Sequence, residues 1–188
     1  MMKIGTRISP DWLNRPADLS FLKQIGVDCV DITLDICPGY SEHGGRANRA
    51  GLEYVAEILD KVGLRVERAN TLNRDYINTF LGIEGSEQEL ENLSVNAELC
   101  GAIGFPVMGI QCFQAAQCPG FPGSRHEWPV GRGGYRHLQV DLSDALDDPP
   151  IDGAPSHEQL WERTLSIFRS VMPVAGANDV RIAMHGND

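Results

Sequence analysis

IGVDCVDITL (Ile25–Leu34) is the first of four stretches that share one pattern. The others are VGLRVERANT (Val62–Thr71), IGFPVMGIQC (Ile103–Cys112) and AGANDVRIAMHG (Ala175–Gly186). Each opens on an apolar or small residue and a glycine, then runs into a short apolar, β-branched-rich segment. A glycine there suits the left-handed turn that ends a helix. The run after it suits a buried parallel strand. MKIGTRI at the start of the chain adds a fifth strand.

Helical periodicity fills the intervals. Ala17–Ile25 has apolar residues near helical spacing, and Arg49–Val62 has them clearly at Leu52, Val55, Ala56, Ile58 and Leu59. Glu87–Ile103 carries Leu90, Leu93, Val95, Ala97, Leu99 and Cys100, with acidic residues in its first turn that complement the helix dipole. Ser156–Val171 begins with Ser156 and, three residues on, Gln159, the pattern of a capping box. Its expected apolar face is Leu160, Trp161, Leu165, Ile167 and Phe168.

The order is therefore β-α-β-α-β-α-β-α-β, which implies a parallel sheet with right-handed crossovers. Two architectures fit it: a doubly wound sheet, complete at five strands, and a (β/α)₈ TIM barrel, which typically takes about 250 residues. GTRISPDW follows the first strand where a dinucleotide-binding fold would carry a glycine-rich phosphate loop. The interval before the last strand holds an insertion, roughly 113–155, rich in Gly, Pro, Asp and Arg. Long loops after strands are where barrel active sites are assembled. A chain ending at MHGND has no helix after its last strand. The expectation is a single partial barrel domain over 1–188, holding about the first four and a half βα units.

The 188 residues carry a formal charge of -10, so nucleic acid and anionic membrane surfaces are poor partners. No apolar run approaches the roughly 18 residues of a membrane span, and the N-terminus lacks a signal peptide's apolar core. Five cysteines, Cys29, Cys37, Cys100, Cys112 and Cys118, with no CxxC, fit reduced thiols in a cytoplasm. An unclosed sheet would leave strand edges that favour self-association, so a homo-oligomer is expected.

In either α/β fold, ligands meet the C-terminal ends of the strands. Those ends carry Arg7; Asp31, Thr33 and Asp35; Glu67, Arg68, Asn70 and Asn73; Gln111 and Gln114; and His185, Asn187 and Asp188. His185, one step past VRIAM, is placed either as a ligand to a divalent metal or as a hydrogen-bonded residue closing the strand. Asp35 in DICPGY is a turn residue or a hydroxyl binder. Glu67 and Arg68 are adjacent and are expected to face opposite ways. Asn70 suits a substrate hydroxyl or a loop cap. In the insertion, Arg125, His126, Arg132, Tyr135, Arg136 and His137 form a basic group in an acidic chain. A guanidinium grips a carboxylate through two hydrogen bonds. Arg7, Asn70, Gln111, Arg125 and Arg136 are the substrate-binding candidates, and His185 is the metal candidate.

VRIAMHGND resembles the fifth-strand signature of the mannonate dehydratases, an apolar strand ending in Met-Ala-X-His, then Pro or Gly and Asp. The arginine-, glycine- and aromatic-rich insertion and the order of NLSVNAELCGAIGFPVMGIQCF are also similar. The wider set of xylose isomerase-like isomerases and epimerases fits the whole chain about as well. The resemblance implies a (β/α)₈ barrel that dehydrates the sugar acid D-mannonate to 2-keto-3-deoxy-D-gluconate, in hexuronate breakdown, with Mn²⁺ or Fe²⁺. His185 would match the family's first metal-binding His, and its other ligands and acid/base residues lie in later strands. The chain alone is therefore expected to be an inactive part. The first strand departs from the family in having Thr6, Arg7 and Ile8. Two other readings stand beside this one: a metal-dependent sugar isomerase or epimerase, and a non-catalytic, self-associating half-barrel.

Overall fold

The sheet runs in simple chain order, β1-β2-β3-β4-β5, and each adjacent pair is parallel. A computed structural model describes residues 2–41, 44–114, 127–139 and 151–186. Its strands are β1 (Gly5–Arg7), β2 (Cys29–Thr33), β3 (Val66–Asn70), β4 (Val107–Gln111) and β5 (Arg181–His185). A doubly wound sheet reverses its strand order at a switch point. Here every strand lies beside its predecessor in sequence, which is the barrel pattern.

The helices are α1 (Pro16–Gln24), α2 (Arg49–Asp60), the short α3 (Ile77–Leu81), α4 (Ser86–Ile103) and α5 (His157–Ala177). They cover one face of the sheet. Val30, Ile32, Ala69, Met108 and Ile110 point to that side and are buried with Leu52, Val55, Leu59, Leu93, Ala97, Cys100, Ile167 and Val171. Alternation along the strands, broken once on β3, sends Asp31, Thr33, Asn70 and Gln111 to the opposite, concave face. That face carries no helix among the described residues, and it is where the polar strand residues gather.

Three of the four repeat glycines take the expected left-handed turn: Gly26 (φ 94°), Gly63 (φ 73°) and Gly104 (φ 85°). The fourth differs. Gly176 lies inside α5, and Asp179 makes the left-handed turn instead, at φ 56°. The helix runs past Pro173 to Ala177 because Val171 and Ala175 continue its buried stripe. Ser156 and Gln159 form the capping box that starts it. Trp161, expected on the apolar face, is 60% exposed, while Ile167 is buried as expected and the stripe continues through Val171 and Ala175.

Helix α4 buries two asparagines alongside Leu93 and Ala97. Asn92 donates to the Gly44 carbonyl at 3.0 Å, and Asn96 donates to that of Gly45 at 3.0 Å. Asn96 also accepts from the Ala47 N–H at 2.8 Å. These bonds fix the Gly44–Ala47 backbone, alongside the buried side chains of Ile36, Tyr40 and Ala47 in the same connection.

Part of the insertion has regular pairing. Glu127 bridges Gln139 and Val130 bridges Arg136, both antiparallel, around a turn with Gly133 and Gly134 at positive φ. No helix of the described residues is long and apolar enough to cross a membrane.

Candidate functional site on the concave face

Asp31 is the hub of the concave face. The register sets Arg7 beside it on β1 and Arg68 beside it on β3. Arg7 donates through Nε and Nη2, each at 3.3 Å, one to each carboxylate oxygen. Arg68 donates to Oδ2 through Nε at 2.9 Å, and its Nη2 reaches the same oxygen. Asn70 Nδ2 completes the set, 2.5 Å from Oδ1 and 2.9 Å from the Ile32 carbonyl. Asp31 is largely shielded, with a side chain 19% exposed, while Arg7 and Arg68 remain 54% and 37% exposed. Each guanidinium has five N–H donors, and the carboxylate engages two of them. The rest of each fork faces outward.

Asn70 reaches Asp31 because Gly109 lies beneath it on β4. A methyl at position 109 would run into the Asn70 amide oxygen. A glycine in a strand interior often marks this kind of close approach.

Glu67 and Arg68 face opposite ways only in part: Arg68 turns to Asp31, while Glu67 turns to Lys3 and also borders another groove against α2. A register shift between Val30 and Asp31 leaves Glu67 as an extra residue on β3, and both side chains border one groove of about 680 Å³. Lys3 pairs with Glu67 at 2.6 Å at its lower end, and Val107 and Ala183 form part of its floor. Arg181 opens β5 in register with Val107, on the same face. Three cations (Lys3, Arg7 and Arg68) thus pair with two carboxylates, Asp31 and Glu67, and Arg181 adds a fourth positive charge to the same face. The face is locally positive in a chain of charge -10.

Above the groove, buried hydrogen bonds tie the strand tips together. Tyr76 donates to the Gln111 carbonyl at 3.1 Å and accepts from the Gln111 N–H at 2.7 Å. Burial pushes the Tyr76 phenol up to about 12. Tyr40 donates to Asp75 Oδ2 at 2.5 Å, and the Leu72 N–H donates to the same oxygen at 2.8 Å. Burial raises the Asp75 carboxyl despite those two bonds, and it raises Tyr40 strongly. Thr33 donates to Asp35 at 2.6 Å, and Arg74 stands 3.6 Å from the same carboxylate.

The sequence candidates separate into groups. Arg7 and Asn70 meet at Asp31. Gln111 and His185 face each other as the last register pair of β4 and β5. The Gln111 amide donates to the Thr71 carbonyl at 3.3 Å, and the His185 carbonyl accepts from Cys112 at 3.2 Å. Arg136 sits in the ribbon and donates to the Trp128 carbonyl at 3.2 Å. Arg125 lies outside the described residues. Asp31 and Arg68 were readable as strand residues, but a pairing register was needed to make them partners.

No protein-family model matches the chain, and no curated protein matches it. Solved structures do. A mannonate dehydratase from Streptococcus suis serotype 2 superposes with a TM-score of 0.71 at 17% identity, over 98% of this chain and 53% of that one. A sugar phosphate isomerase/epimerase from Parabacteroides distasonis gives 0.56 at 14% identity, over 98% and 51%. D-psicose 3-epimerase from Clostridium cellulolyticum H10 gives 0.53 at 13%, over 97% and 52%. The fold is part of a (β/α)₈ barrel. The chain spans about half the length of these structures, and at such identities the likeness speaks for the fold alone.

Placed in that barrel, the concave face is the wall of its interior, and His185 stands at the mouth. A Mn²⁺ or Fe²⁺ site needs several ligands. Among the described residues, no group of three or more His, Cys, Asp or Glu side chains could hold a metal ion. The His185 imidazole makes no hydrogen bond among the described residues. These residues on their own do not fit such a metal, and any further ligands would lie outside them.

Proposed function

We propose that the chain is part of a sugar-processing barrel enzyme whose concave face receives the carboxylate of a sugar acid. The observation that carries this reading is the pair of half-exposed guanidiniums held apart by Asp31. Two forks fixed by one carboxylate are preorganised, so less side-chain entropy is lost when an anion docks on their free N–H groups. Asp31 neutralises only one of the two charges. Asn70 holds Asp31 in place, and so acts through it rather than on the ligand.

The reaction we favour is the dehydration of D-mannonate, a lyase reaction. The resemblance of VRIAMHGND and the likeness to a solved mannonate dehydratase support it. Loss of water from a sugar acid begins with proton removal beside the carboxylate, and cations at that carboxylate stabilise the charge that develops. Arg7 and Arg68 would supply that charge. Isomerisation or epimerisation of a sugar is the second reading, favoured by the other two likenesses. A neutral sugar has no carboxylate for the arginine pair.

Calorimetric titration separates the two. D-mannonate is expected to bind and D-mannose to bind far more weakly, with mannonate binding lost in Arg7→Gln and Arg68→Gln. Equal binding of both compounds, or mannonate binding unchanged in both variants, would defeat the sugar-acid reading. Turnover is a separate question. With one candidate ligand for a multi-ligand metal, the 188-residue chain supplied with Mn²⁺ is expected to form no 2-keto-3-deoxy-D-gluconate.

A further inference from the structure

A second cleft, of about 770 Å³, opens between the connection after β2 and the segment from Arg74 to Asn92. It shares no lining residue with the concave groove. Arg46 and Arg74 border it, together with the amides of Asn78, Gln88 and Asn92. The volume lies within the roughly 300–1,000 Å³ of small-molecule sites.

The charges here are unequally satisfied. Two carboxylates line the cleft, and both are committed. Glu89 accepts from Asn78 N at 3.0 Å, Thr79 N at 2.7 Å and Thr79 Oγ1 at 2.8 Å. Asp75 accepts from Tyr40 and from Leu72 N. The cations are not matched in this way. Arg46 is half-buried and has no hydrogen bond or ion pair among the described residues. Arg74 approaches Asp35 only to 3.6 Å, beyond hydrogen-bond length, with a side chain 61% exposed. A partly buried guanidinium without an acceptor loses hydration that an anion would restore. The backbone beneath is held firm, because Asn92 and Asn96 bind the carbonyls of Gly44 and Gly45.

We propose that this cleft is a second binding site, for a small hydroxylated ligand carrying a phosphate group. The phosphate lies on Arg46 and Arg74, whose two charges match a dianion better than a single carboxylate. The ligand's hydroxyls meet the Asn78 amide and the Gln88 amide oxygen, since Gln88 Nε2 already donates to Glu91 and Asn92. This site is separate from the sugar-acid face, and either can fail without the other.

Inorganic phosphate is the probe, titrated into the 188-residue chain at constant ionic strength made up with sodium chloride. Phosphate is expected to bind saturably. Arg46→Gln and Arg74→Gln are each expected to weaken it about tenfold or more, the scale of a lost charge-assisted hydrogen bond. Arg46→Lys is expected to keep part of the affinity, and Arg169→Gln, an exposed change on α5 away from both grooves, all of it. Circular dichroism checks that the variants fold. The proposal is overturned if phosphate gives no response beyond chloride. It is equally overturned if both glutamine variants bind as the parent does, or if Arg7→Gln abolishes binding and so moves the anion to the concave face.

Discussion

The two faces of the sheet obey different rules. The helix-covered face is closed by volume: Ile32, Met108 and Ile110 are buried among apolar helix residues, and neighbours of similar size would serve. The concave face is closed by pairing. Asp31 is held there by three partners on two neighbouring strands, and its geometry depends on a register shift and on Gly109. The first face supplies stability that tolerates conservative change. The second supplies a charge arrangement that does not.

Substitutions should bring out this contrast. Met108→Ala, which leaves a cavity under α4, is expected to cost about 3 kcal/mol of stability, whereas Met108→Leu should cost less than about 1.5 kcal/mol. Urea unfolding of both variants checks the pair. Similar losses in the two would mean that this face is not governed by volume. Asp31→Ala is expected to cost about 2 kcal/mol, less than a fully buried pair because both arginines reach solvent. Its sharper signature is salt: with two guanidiniums left facing each other, added salt should restore stability to the variant more than to the parent.

The fold was legible because hydrophobic pattern fixes one face at a time. Cys29–Thr33 and Val107–Gln111 suited strands buried on one side, Val66–Asn70 followed the same spacing, and three preceding glycines marked their turns. The break at Gly176 was hidden, since a glycine beside apolar residues reads alike inside and after a helix. The site was less legible. Arg7 and Asn70 could be named one at a time from their positions at strand ends. Their shared partner could not, because Asp31↔Arg68 pairing depends on a shift that no local pattern encodes. The asparagines of α4 were hidden for a related reason: their acceptors lie in a loop about 50 residues away.

A smaller effect belongs to the buried tyrosine above the groove. Tyr76 is raised to about 12 from an ordinary 10.0. Between those values the unfolded chain releases a proton that the folded one keeps. The Tyr76 contribution is therefore intact below pH 10 and is lost as pH rises toward 12, at about 1.4 kcal/mol per pH unit. Tyr76→Phe is expected to cost about 1 kcal/mol at neutral pH through its lost hydrogen bonds, and to flatten the alkaline fall. Unfolding midpoints between pH 9 and 11 test this. An equally steep fall in the variant would place the titration elsewhere.

The claim on which the rest depends is that the arginine pair on the concave face is an anion receptor. The direct measurement is the NMR spectrum of the arginine Nε–H groups, assigned by Arg7→Gln and Arg68→Gln, during titration with D-mannonate and then with D-mannose. The account predicts that the Arg7 and Arg68 signals shift with mannonate and stay in place with mannose. Signals that stay in place with mannonate while it binds elsewhere on the chain would contradict it.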